Sequence, residues 1–135
     1  MGLQLGFAGT LTAGPASSSD SSFPSSVVTE PFELNPAIFS YNVSTGVCVV
    51  LVNSSNAFET LPGIGGAVGP VTQATFVYVR AVIPFQIRVT YQGDGVAKVH
   101  YTNGIWAAQV DPSHPITLLE VQGAGQFTYF AVGNQ

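Results

Sequence analysis

Charge is what this sequence has least of. Asp, Glu, Lys and Arg make up 7% of the 135 residues, while the hydrophobic set reaches 46%; an average soluble domain carries roughly 25% charged residues. The exterior must therefore be built from Ser, Thr, Gln, Asn and Gly, or be covered by something else. That deficit favours a protein that works inside an assembly over a free monomer. Basic residues are scarcest: Arg80, Arg88 and Lys98 stand against seven acidic side chains, for a net charge of −4. Three cations cannot form the stripe that neutralises phosphates, so nucleic acid is excluded as a partner. A polybasic segment or basic amphipathic helix for an anionic membrane is missing too.

Long apolar runs are also lacking. A spanning helix needs about 20 consecutive apolar residues, and the best stretch, Ala74 to Phe85, contains Arg80 and Pro84. Met1-Gly2-Leu3-Gln4-Leu5 has neither the positive start nor the long apolar centre of a signal peptide, so a classical secretory route is not expected. The single cysteine, Cys48, cannot make an internal disulfide. Within Val47-Cys48-Val49-Val50-Leu51-Val52 it reads as a small buried hydrophobe, and only weakly as a reactive thiol.

What the chain does contain is a body of strands behind an unusual N-terminal segment. Its length suits one domain with one core. Leu3, Leu5 and Phe7 alternate with polar or glycine positions, the pattern of an extended arm whose apolar side chains would serve assembly. Residues 13–26 are rich in Ser, Gly and Pro and have little to bury, as in a flexible linker. Fully extended, that linker reaches roughly 45 Å, enough to cross to a neighbouring subunit. Two readings stand: a disordered tail, or an arm that orders along a neighbour. The expected division is an arm and linker at 1–26 and a β body at 27–135.

Within the body, strands bounded by turn residues dominate. Val27 to Leu34 is a candidate edge strand, with Pro31 removing one ladder donor. Val47 to Val52 is apolar on both faces, and Leu61 to Pro70 reads as a glycine- and proline-rich loop. Thr75 to Val82 is a strand. Phe85, Ile87, Val89 and Tyr91 then alternate with polar residues, one face buried and one wet. Ala97, Val99 and Tyr101 alternate with Lys98, His100 and Thr102, the second set being the wet one. Asn103-Gly104 predicts a type I′ reversal into Ile105 to Val110, and Gly123-Ala124-Gly125 a hairpin between Ile116 to Gln122 and Phe127 to Val132. The expected fold is an all-β antiparallel sandwich, jelly-roll-like, or a small barrel.

Residues for chemistry are few. His100 and His114 are the only imidazoles, and each reads as a surface residue. Asp94, Asp111 and Glu120 show no spacing of an acid–base pair, and no metal-ligand spacing or cofactor motif occurs. The expectation is a non-enzymatic protein with no catalytic, metal or cofactor residues. Aromatics such as Phe76, Tyr78, Tyr91, Tyr101, Trp106, Phe127, Tyr129 and Phe130 suit core packing or cross-strand pairs, with a sugar-stacking platform as the other reading. By alternation Arg80 shares a strand face with Phe76 and Tyr78. Either Glu120 is its buried ion-pair partner, or it emerges into water at the strand end.

The succession Thr75-Phe76-Val77-Tyr78-Val79-Arg80, Ile87-Arg88-Val89-Thr90, Ile116 to Gly123 and Phe127 to Gly133 resembles the small β-rich virion proteins of tailed bacteriophages, the class of capsid decoration or cement proteins. The resemblance covers roughly residues 70–133 and is one of style and order, without a diagnostic motif. It implies a homo-oligomer, commonly a trimer, made in the host cytoplasm and seated on the capsid surface, where it bridges major capsid protein subunits. It carries over no catalytic residues. A phage tail or fibre component that binds host-surface carbohydrate is the alternative.

Overall fold

The alternation along the second half of the chain becomes a set of antiparallel strands in the computed structural model, which describes residues 8–13, 28–33, 43–65 and 69–135. The strands are β1 (Ala8–Ala13), β2 (Val28–Glu33), β3 (Val43–Ser44), β4 (Cys48–Val52), β5 (Glu59–Gly65), β6 (Gln73–Ala81), β7 (Phe85–Tyr91), β8 (Lys98–Thr102), β9 (Ile105–Gln109), β10 (Ile116–Gln122) and β11 (Gly125–Asn134). No helix occurs among the described residues.

The chain divides into two compact units. One, Gln4–Ser40, contains β1 and β2, which pair antiparallel from Ala8 opposite Glu33 to Ala13 opposite Val28. Pro31 lies opposite Thr10 and has no N–H to give, which a two-stranded ladder tolerates because each strand is an edge. The strand foreseen at Val27 to Leu34 is present as Val28–Glu33 and pairs with Ala8–Ala13. Leu3, Leu5 and Phe7, the expected assembly residues, lie outside the described residues.

The other unit holds β3 to β11. Its ladders run in two lines: β4, β11, β6, β9 and β5, β10, β7, β8. A lone residue pair, Ile116 opposite Ala74, joins the lines into one nine-stranded hydrogen-bonded sheet. β3 continues β4 along β11 after an interruption, where Gly46 takes φ 67° and the Thr45 hydroxyl accepts the Ala131 N–H at 3.0 Å. From β4 onward every connection except β7 to β8 passes from one line to the other. That order is the jelly roll, two packed layers of four strands.

Burial demands the layered arrangement. Val77, Val79 and Ala81 on β6, Phe127, Tyr129 and Ala131 on β11, Phe85, Ile87 and Val89 on β7, and Leu119 and Val121 on β10 are all at most 6% exposed. A lone sheet would wet both faces, so alternate residues on so many strands can be this dry only between two sheets. Contacts cross the gap directly. The Phe85 and Phe127 rings meet edge to face at 4.9 Å, and the Tyr129 hydroxyl donates to the Pro62 carbonyl at 2.7 Å.

Several local readings change. Leu61 to Gly65 belongs to β5, not to a loop, and Leu61 and Ile64 are core residues at 1% and 0% exposure. Gly65 makes this strand fit: its φ of 74° suits glycine, and a side chain there would run into the Thr117 carbonyl on β10. Asn103-Gly104 does not form a type I′ hairpin. Only Gly104 takes positive φ, and β8 pairs with β7 while β9 pairs with β6. Gly123-Ala124 likewise carries the chain between layers, since β11 pairs with β6, β4 and β3 and not with β10. Both turns reverse direction as expected but change sheet. In β8 the register reverses the expected phase, with His100 opposite core-facing Ile87 and Val99 and Tyr101 opposite outward Arg88 and Gln86. All three are exposed, His100 as expected and Val99 and Tyr101 against expectation.

Candidate functional site

Register places the ionic residues. On the outer face of the β5, β10, β7, β8 layer, Val99 lies opposite Arg88, Arg88 opposite Glu120, and Glu120 opposite Thr60. Adjacent strands put the two long side chains side by side, and the pair is bidentate: Arg88 Nε to Glu120 Oε2 at 2.6 Å and Nη2 to Oε1 at 2.8 Å. The Phe58 ring lies 4.3 Å from the guanidinium carbon and shields one of its faces. The bond to Glu120 raises the Arg88 pKa above its ordinary value. Glu120 is therefore taken, and its partner is not Arg80. Arg80 stands on β6 in the other layer, exposed, between Thr128 of β11 and Ile105 of β9. Spacing along the sequence could not say which strand lies beside β10, and so which cation Glu120 meets; Arg80 instead reaches the surface, the other placement expected for it.

The outer face of the β4, β11, β6, β9 layer is nearly without charge. From β3 to the C-terminus the chain holds Glu59, Arg80, Arg88, Asp94, Lys98, Asp111 and Glu120, and only Arg80 belongs to a strand of this layer. Among the described residues Arg80 has no acidic partner; it borders a hollow of about 260 Å³ with Val82, Gln126 and Thr128. Along the β4 edge the outward positions are apolar and wet: Val47 is 76% exposed, Val49 59% and Leu51 64%. Ile105, on the opposite edge, and Val82 after β6 are exposed as well. Cys48 alternates with them, turned inward against the core, and its thiol donates weakly to the Thr45 carbonyl.

The two ends of the sandwich differ. At the end of β7, His114 Nε2 is 3.2 Å from Asp94 Oδ1, Lys98 Nζ is 3.8 Å from Asp94 Oδ2, and the His114 ring stacks on Tyr91. This is an imidazole beside a carboxylate, but the imidazole is solvent-exposed and Asp94 only half-buried. Among the described residues no hydroxyl or thiol hydrogen-bonds that imidazole: the Ser113 hydroxyl is given to Asp111. Two hydrogen bonds from Ser113 hold the Asp111 carboxyl below its usual pKa. His100 packs against Trp106 at 5.8 Å. No group of three metal-ligating side chains occurs among the described residues, and no helix long and apolar enough to cross a membrane occurs among them. At the start of β7 lies a groove of about 490 Å³, bordered by Tyr101, Gln86 and Gln122.

No protein-family model, curated protein or solved structure matches this chain.

Proposed function

We propose that this protein is a structural component of a virion, a capsid decoration protein that attaches through the outer face of its β4, β11, β6, β9 layer and has no catalytic role. The observation that carries the reading is the uncharged, apolar β4 edge, with Val47 just before it and Val49 and Leu51 within it exposed, on a strand that has no Lys, Pro or inward charge to blunt it. An edge of this kind invites strand pairing or apolar docking, and proteins that remain single normally guard against both. Arg80, the lone cation of that face, is offered to a carboxylate of the neighbour. The partners are further copies of this chain, as a trimer, and the major capsid protein, on the capsid surface. Sequence style and the charge deficit support the virion setting. The experiment is to add the full chain to phage heads stripped of their accessory proteins. Expected are added density at regular lattice positions and greater resistance of the heads to heat. Heads that neither bind the chain nor gain stability would overturn the reading.

A further inference from the structure

The groove at the start of β7 lies on the other layer, away from the proposed attachment face, and register arranges it. Tyr101 on β8 is directly opposite Gln86 on β7, and Gln86 directly opposite Gln122 on β10. One ring and two amides therefore stand in a row across adjacent strands, spanning roughly 10 Å at the usual strand spacing. Tyr101 is 81% exposed, so its ring is a free platform. Neither the Gln86 amide nor the Tyr101 hydroxyl has a hydrogen-bond partner among the described residues. Gln122 gives one N–H to the Ser55 carbonyl at 2.9 Å, which fixes its amide and leaves its oxygen and second N–H available. Ile83, Pro84 and Ala124 complete an apolar floor.

We infer that this groove binds a neutral saccharide. A pyranose presents an apolar C–H face and a rim of hydroxyls that each donate and accept. An exposed aromatic ring matches the first, and amides, which combine donor and acceptor in one group, match the second. The volume of about 490 Å³ lies within the range of small-ligand sites. No charged residue lines it, and the nearest ions on this face, Arg88 and Glu120 one row along, neutralise each other. An acidic sugar would find no countercharge, which selects the neutral class.

The test is to screen the full chain on an array of neutral and acidic glycans, then to titrate it with maltotriose, cellotriose and lactose by ligand-observed NMR. At least one neutral glycan is expected to bind. Tyr101→Ala and Gln86→Ala should each weaken that binding about tenfold, Tyr101→Phe should retain most of it, and circular dichroism should be unchanged because Tyr101 is exposed. Val49→Asp, on the attachment face, should leave saccharide binding intact. An absence of neutral-glycan binding, a response confined to acidic glycans, or binding indifferent to Tyr101→Ala and Gln86→Ala would each overturn the site.

Discussion

The two layers of the sandwich share an interior and differ outside. In the β5, β10, β7, β8 layer every cation is paired, Arg88 with Glu120 on the strands and Lys98 with Asp94 at the end, where His114 also meets Asp94; Glu59 on β5 has no ion-pair partner among the described residues. The β4, β11, β6, β9 layer has Arg80 alone and exposes valine, leucine and isoleucine. The fold does not need this contrast, since either exterior would suit the same inward rows of Val, Ile and Phe. Val99 and Tyr101 on β8 are wet as well, so what singles out the β4 layer for assembly is its outward apolar row, where Arg80 is the one charge on a strand.

The common interior gives the largest expected effect. Phe127 is fully buried and touches Phe85 across the layers, so Phe127→Ala should cost about 3–5 kcal/mol of unfolding free energy, measured by urea titration. A loss under 1 kcal/mol, in place of the roughly 3–5 expected, would mean that the layers are not packed on one another. Next comes the polar tie between layers. Tyr129→Phe leaves the Pro62 carbonyl without its donor and should cost about 1–2 kcal/mol. Burial, with a smaller contribution from Cys48, raises the phenol pKa above its ordinary 10.0. The folded state therefore favours the protonated phenol. Its contribution is complete below pH 10.0 and is lost as pH climbs toward the raised folded value. The alkaline fall in stability should accordingly be shallower in Tyr129→Phe than in the parent, and equal slopes would remove Tyr129 as its cause.

How much of this was legible in the sequence depended on whether a strand had two neighbours. β7 and β10 are central, and their bounds, Phe85–Tyr91 and Ile116–Gln122, can be read directly from composition and alternation. β8 is an edge strand, where no second neighbour penalises an apolar residue facing water, so its alternation suggested the opposite phase. β5 was hidden by Pro62, Gly63 and Gly65, residues that usually announce a loop but here serve an edge strand pressed against β10. Turn chemistry at Asn103-Gly104 and Gly123 to Gly125 revealed where the chain reverses, but which sheet receives it is a property of the whole fold. The expected Arg80–Glu120 pair failed for that reason: Glu120 read as sharing an apolar face with Ile116 and Leu118, and only the β10 to β7 register places it beside Arg88. The exposed β4 edge left a signal in the low charge of the chain, but which side of the strand stays wet could not be read from a run apolar on both faces.

A smaller effect tests the charged face. Glu120→Gln removes one half of a partly exposed bidentate pair, and should lower stability by about 1 kcal/mol while leaving assembly unchanged, because that face is not the one proposed to be covered. Urea titration reads the first and sedimentation the second. Loss of assembly in Glu120→Gln would erase the contrast between the faces.

The central claim is that the layers differ in use, and sedimentation velocity with one charge placed on either layer tests it most directly. Val49 and Val99 are both exposed valines, on β4 and β8 respectively, so Val49→Lys and Val99→Lys are matched perturbations with little expected effect on folding. The account predicts that the parent and Val99→Lys sediment as the same oligomer and that Val49→Lys sediments as a monomer with an unchanged circular dichroism spectrum. An oligomer that survives Val49→Lys and is dissolved by Val99→Lys would contradict it.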